Sequence, residues 1–223
     1  MTNIQQQFKF PSIYNFPPFF TRQPNEQTWL AQRQKWIQLI LDYSRFNRVW
    51  ILSDRGKILS QGNVDEDDEQ AYSKLNELNI QSDDDDDDDD DNRGIFVNSR
   101  VDRSLDVSTI NEIFKEMSEK GDATYVSTPQ NKKTKTRNFN SIYINWNRSE
   151  DWASMLLEWV EKTGQTGTVL TLYEIANGDG SIGQEFHGIH PKILENALEV
   201  LVKRGRAQVL KDELNRVAGV KIQ

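Results

Sequence analysis

Cysteine is absent from this chain of 223 residues, which excludes disulfides, iron–sulfur clusters and cysteine-ligated zinc and suits a reducing compartment. Histidine is nearly as scarce, since His187 and His190 are the only two. A metal shared by imidazoles three apart wants a helix, yet Gly188 separates them and Pro191 follows. Glu185 is the single nearby carboxylate, which leaves zinc under-ligated. No serine or threonine is placed to suggest a triad with either histidine, although spacing alone does not settle what assembles in space. No metal, cofactor or catalytic residue is therefore expected. No apolar run approaches the ~18–20 residues that span a bilayer. The first residues lack the basic start and continuous apolar stretch of a secretory signal, because Gln5, Gln6 and Gln7 follow Ile4. A soluble intracellular protein is expected.

What is abundant is acid, but in one place. Asp83 to Asp91 is an unbroken run of nine aspartates, and setting it aside brings the formal charge of −8 close to neutrality. Adjacent like charges repel and resist burial, so residues of about 61–92 read as an acidic, disordered insertion serving as a spacer. The fold should be legible with that insertion cut out.

The remaining pattern repeats. Trp29, Trp36, Ile37, Ile40 and Tyr43 mark an amphipathic helix over 25–46, followed by short extended segments at 49–53 and 57–59. Val107, Ile110, Ile113, Phe114 and Met117 predict a second helix, with Ser104 or Asp106 as its cap and Gly121 at its end. Residues 123–126 and 141–146 then flank a polar loop. In the second half, Trp152, Met155, Leu156, Trp159 and Val160 form an apolar stripe capped by Ser149 and closed by Gly164. Residues 169–176 are apolar but too short for period to separate helix from strand. Pro191 opens a helix carrying Ile193, Leu194, Ala197, Leu198, Leu201 and Val202, which Gly205 ends. A strand pair at 207–210 and 217–222 closes the chain. Each half thus runs helix, intermediate elements, helix, glycine, strand, turn, strand, the layout of a winged helix. The expected fold class is α+β, with tandem winged-helix domains at 25–147 and 148–223 preceded by an extended arm at 1–24.

Two motifs carry less than they suggest. Gly178, Gly180 and Gly183 match the spacing of a dinucleotide fingerprint, but no βαβ unit surrounds them and Gly188 and Pro191 break the chain too soon, so they read as a turn. Lys132, Lys133, Lys135 and Arg137 make the first wing a possible phosphate or membrane contact. A tandem winged-helix DNA-binding protein is therefore the alternative reading. Against it, the candidate recognition helices are not basic: Glu112, Glu116 and Glu119 offset Lys115 and Lys120 in one, and Glu195 and Glu199 accompany Lys192, Lys203 and Arg204 in the other. No nucleic acid is expected.

The arm holds the densest aromatic content. Phe8, Phe10, Tyr14, Phe16, Phe19 and Phe20 fall among Pro11, Pro17, Pro18 and Pro24, which forbid a through-running helix or a central strand. Pro17 and Pro18 favour extended, polyproline-like geometry at Phe16 and Pro17. Each buried ring is worth roughly 1.5–3 kcal/mol, so these rings need a dry surface. Local physics leaves two open: a strap over this chain's own helices, or an arm docked in a partner.

The run Tyr14 to Asn25, together with Asp151-Trp152, Trp159-Val160, Thr171 to Ile175, Glu185 to Gly188 and Gly219 to Ile222, resembles the vacuolar protein sorting-associated protein 25 family. Members of that family are the small winged-helix subunits of the endosomal sorting complex ESCRT-II. The resemblance implies a non-enzymatic adaptor in the cytoplasm, recruited peripherally to the endosomal membrane. Its arm and first domain would dock on larger winged-helix subunits, with two copies of this subunit per complex. Its second domain would recruit an ESCRT-III initiating subunit, for sorting of ubiquitinated cargo into multivesicular bodies. Carried over, Tyr14, Phe16, Pro17, Pro18, Phe19 and Phe20 are the partner-binding residues. Phe16, Phe19 and Phe20 would fill a partner's pockets, stable only once that partner shelters them.

Overall fold

The computed structural model describes residues 7–61, 94–126, 141–212 and 217–223, which fall into two compact units parting between Trp146 and Asn147. The Asp83–Asp91 run and Lys132, Lys133, Lys135 and Arg137 lie outside the described residues. The described chain mixes helices with antiparallel strands, as an α+β fold does.

In the first unit, α1 (Glu26–Asn47) starts where the Asn25 side chain accepts from the Thr28 N–H at 3.0 Å. It ends where Arg48 turns left-handed, with φ 55°. β1 (Val49–Ser53) and β2 (Ile58–Gln61) follow, then the two-residue strands β3 (Val97–Asn98) and β4 (Arg103–Ser104), which pair with each other. Between β1 and β2 the chain turns at Gly56, φ +82°, where an added Cβ would sit 2.5 Å from the Phe96 ring. Only glycine tolerates both the dihedral and the close ring.

α2 (Val107–Lys120) is capped by Asp106, whose carboxylate accepts from the Thr109 N–H at 2.9 Å, and Gly121 ends it with φ 84°. Of the two expected caps, Asp106 is the one used. β5 (Ala123–Tyr125) and β6 (Ser141–Ile144) complete an antiparallel sheet in the order β2-β1-β6-β5. Trp29, Trp36 and Ile40 from α1 meet Ile110, Ile113, Phe114 and Met117 from α2 in one buried cluster. Phe96 and Leu105 join it, with Val49, Leu52, Ile142 and Ile144 contributed by the sheet.

The second unit begins with α3 (Ser149–Lys162), which buries Trp152, Ala153, Leu156, Trp159 and Val160. Ser149 is not its cap. It is already the first helical residue, and the Asp151 carboxylate instead accepts from the Arg148 N–H at 3.3 Å. The ambiguous stretch at 169–176 proves to be two elements, the strand β7 (Val169–Leu170) and the helix α4 (Leu172–Asn177). Thr171 separates them, its hydroxyl accepting from the Glu174 N–H while the Glu174 carboxylate accepts from the Thr171 N–H. This reciprocal pair fixes where the strand stops.

The glycine-rich segment is a 3-10 turn at Asp179–Ser181, followed by α5 (Pro191–Lys203) and the hairpin β8 (Ala207–Lys211) and β9 (Val217–Ile222). The sheet order is β7-β9-β8, all antiparallel.

His190 caps α5 through Nδ1, which accepts from the Lys192 N–H at 3.1 Å, and it is only 2% exposed. Burial lowers its imidazole from the ordinary 6.5 to about 4. Between those values the unfolded chain takes up a proton that the folded chain refuses. This contribution to stability is therefore full above about pH 6.5, declines as pH falls toward about 4, and is lost below that. The loss is on the order of 3 kcal/mol. His190→Asn keeps a capping acceptor without a proton to titrate. Urea unfolding of the full chain should show a shallower decline on acidification in this variant than in the wild type.

Candidate functional site

The arm is a strap folded onto α1. From Phe8 to Arg22 it runs antiparallel to the helix, then turns back into it at Asn25. Near the C-terminal end of α1, Phe8 meets Tyr43 and Phe46 edge-on at 5.3 and 5.5 Å between centroids, and Phe10 stacks on Tyr14 at 4.2 Å. Further along, the Phe19 ring lies flat on the Trp36 indole, 4.4 Å away with 4° between the planes. Phe20 meets the same indole edge-on at 5.3 Å. The strap ends at Arg22, whose guanidinium lies over the Trp29 ring and bonds both Glu112, at 3.1 Å, and Glu26. The Trp29 indole N–H also donates to Glu112, at 3.0 Å.

Its backbone differs from the extended reading. Ser12–Asn15 and Pro17–Phe20 are both 3-10 turns, with Phe16 extended between them at φ −98°, ψ 109°. The prolines do exclude an α-helix, and Pro17 does hold Phe16 extended, as the residue before a proline is biased to be. Pro17 and Pro18 themselves lie inside a tight turn closed by the Phe19 N–H donating to Phe16 O at 2.9 Å. A 3-10 turn needs few N–H donors, so it accommodates residues that have none.

Polar clamps hold both ends of the segment Asn15–Pro18. On one side the Tyr14 hydroxyl donates toward Ile95 O and Val97 O, each at 3.0 Å. The Asn98 side chain donates back to Tyr14 O at 2.7 Å. Burial pushes the Tyr14 phenol well above its ordinary range, so it remains a donor at any physiological pH. On the other side Phe19 O accepts from the Trp36 indole N–H at 3.0 Å and from Gln32 Nε2 at 2.6 Å.

This placement divides the predicted partner-binding residues in two. Tyr14, Phe19 and Phe20 are 6%, 2% and 3% exposed and belong to the first unit's core. The expectation that Phe19 and Phe20 fill a partner's pockets is therefore corrected: Trp36 already occupies their faces. The expectation that the rings need another subunit for shelter falls with it. Phe16 is 56% exposed, and Pro17 and Pro18 are exposed beside it. These three form an apolar apex on the outside of the strap. The missed signal was on α1, where Trp29, Gln32 and Trp36 share one face and offer two indoles and an amide.

His187 Nδ1 lies 2.8 Å from the Ser181 hydroxyl, which is fully buried and also donates to Gly178 O at 2.8 Å, so Ser181 is not a poised nucleophile. Among the described residues there is no group of three or more His, Cys, Asp or Glu side chains fit to hold a metal. Nor, among them, is any helix long and apolar enough to cross a membrane.

A strap anchored by buried rings, with an exposed aromatic and two prolines midway along it, on an α+β body is thus the feature that sets this chain apart. Residues 13–190 match the family of ESCRT-II complex subunits, and the chain belongs to that family. It is similar to vacuolar protein-sorting-associated protein 25 of Saccharomyces cerevisiae, at 32% identity over 95% of this chain and 98% of that protein. The protein of the same name from Dictyostelium discoideum is also 32% identical, over 97% of this chain and 96% of its own length. A crystal structure of subunit VPS25 of the endosomal trafficking complex ESCRT-II superposes with a TM-score of 0.72 at 28% identity, covering 96% of this chain and 100% of that one. A crystal structure of the ESCRT-II complex of VPS22, VPS25 and VPS36 gives 0.69 at 27% identity, covering 96% and 98%.

Because Phe19 and Phe20 are core residues, replacing either by Ala should cost about 3–5 kcal/mol. Phe16→Ala should leave stability within about 0.5 kcal/mol of wild type. Urea unfolding followed by tryptophan fluorescence measures both, with Trp36, stacked on the strap, among the six contributing indoles.

Proposed function

We propose that this protein is a non-enzymatic adaptor subunit of ESCRT-II, and that it docks on the larger subunits through the exposed apex Phe16-Pro17-Pro18. The observation that carries this reading is the division of the strap. Its buried rings anchor it to α1, while an aromatic ring and two prolines are held outside where they serve no internal packing. Prolines lose little entropy on binding, and an exposed aromatic held on a rigid backbone is an effective hot spot. The larger subunits are VPS22 and VPS36, the components found with VPS25 in the similar complex, with two copies of this chain per assembly.

Both units are read as winged helices. Supporting that reading is the order α3, β7, α4, α5, β8, β9 with its three-stranded sheet, and the order α1, β1, β2, β3, β4, α2, β5, β6 with a glycine between α2 and the closing hairpin. The second unit would recruit an ESCRT-III initiating subunit, and the complex would act at the endosomal membrane from the cytoplasm in sorting ubiquitinated cargo into multivesicular bodies. Duplex recognition is disfavoured because Glu112, Glu116 and Glu119 line the same groove as Lys115 and Lys120, which leaves no net basic face for phosphates.

Phe16→Ala should reduce co-purification with VPS22 and VPS36 by about tenfold or more, the scale of one lost hot spot. Its thermal unfolding should stay that of wild type. Undiminished assembly by Phe16→Ala would refute docking by the apex.

A further inference from the structure

Gln32 is an unusual choice for its position. It lies on the α1 face that receives the strap, between Trp29 and Trp36, and is only 7% exposed. Its Nε2 donates to Phe19 O at 2.6 Å and to Thr21 O at 3.0 Å, with Pro18 O at 3.4 Å. Its Oε1 is buried with no hydrogen-bond partner among the described residues. A buried acceptor left unpaired is destabilising, and an unbranched apolar side chain would avoid that penalty.

Its donors are not needed to satisfy those carbonyls either. Phe19 O also accepts from the Trp36 indole at 3.0 Å, and Thr21 O from Gln23 Nε2 at 2.9 Å. Pro18 O has Gln23 Nε2 at 3.1 Å and the Thr21 N–H at 3.2 Å. What Gln32 adds is geometry: one side chain, rising from a rigid helix, gathers three carbonyls, those of Pro18, Phe19 and Thr21. Asn98 grips Tyr14 O on the other flank, so the four exposed residues Asn15–Pro18 are suspended between two buried amides.

We infer that Gln32 is a positioning residue for docking, holding Phe16-Pro17-Pro18 in the conformation a partner binds. It rests on the proposed docking role of the apex. A partner that recognises one conformation binds at a rate scaled by the fraction of molecules already in it. Loosening the apex therefore slows association, while the complex, once formed, has the same contacts and dissociates at the same rate.

Gln32→Met, of similar length and without donors, leaves each of the three carbonyls another donor and so preserves the fold. Binding of the full-length chain to an immobilised VPS22–VPS36 subcomplex, followed in real time, reads both rate constants. Amide hydrogen exchange at Phe19 and Thr21 reads the order of the turn. The expected result is faster exchange at those amides and association slowed by about tenfold, the factor set by freeing roughly one backbone residue, with dissociation unchanged. Wild-type association by Gln32→Met while Phe16→Ala fails to bind would overturn the positioning role and leave apex docking standing. Faster dissociation with unchanged association would also overturn it, since Gln32 would then be stabilising the complex itself. If Phe16→Ala binds like wild type, apex docking fails and the inference fails with it. If Gln32→Met unfolds, Gln32→Leu, a good helix former of similar volume that also lacks donors, carries the same comparison.

Discussion

The flat contact between Phe19 and Trp36 is the interaction on which the first unit depends. One indole receives the Phe19 ring on its face, the Phe20 ring on its edge and the Phe19 carbonyl on its N–H. Apolar burial supplies the energy and the hydrogen bond supplies the direction, because a ring alone would tolerate sliding along the helix. With the Phe19 ring fixed, the turn from Pro17 to Phe20 is seated on α1, and Gln32 gathers the carbonyls around it. Behind Trp36 lies Phe96, stacked at 5.8 Å, and behind that Phe114 edge-on at 5.9 Å. The strap is thereby continuous with the core that joins α1 to α2.

Electrostatics finishes what the rings begin. Glu112 on α2 accepts from both Arg22 and the Trp29 indole, and Glu116 pairs with Arg33 and Lys120. Exposed pairs such as Arg22–Glu26 and Arg22–Glu112 are individually weak, whereas Arg33–Glu116 is largely buried. Their value lies in register: they tie the end of the strap and the start of α1 to one turn of α2. A long irregular segment ordinarily loses much conformational entropy on folding. Here that cost is offset at three places along its length, by the Phe8 cluster, by Trp36 and by Arg22.

How much of this could be read from residues alone depends on how local each cause is. α2, α3 and α5 were visible because periodicity, caps and terminating glycines lie within one helix. The doubled identity of 169–176 was not, since two residues of strand exist only through pairing with β9, far along the chain. β1 was seen as extended, but its place between β2 and β6 follows from long-range pairing that no short window contains. The arm shows the same limit most sharply. Its composition demanded a dry surface, and the family resemblance pointed to a partner's. The deciding fact was the shape of α1, where Gln32 interrupts an aromatic face as a polar residue on a buried stripe. That mismatch was present in the sequence and marks the spot where the strap's backbone lies.

Because Tyr14, Phe19 and Phe20 belong to the same core as α1 and α2, the apex has no existence apart from a properly folded first unit. A copy with a damaged interior would present no ordered Phe16-Pro17-Pro18 to the outside. On the proposed reading, admission to the assembly would then double as an inspection of each newly made subunit, with defective molecules turned away by the same geometry that lets sound ones in.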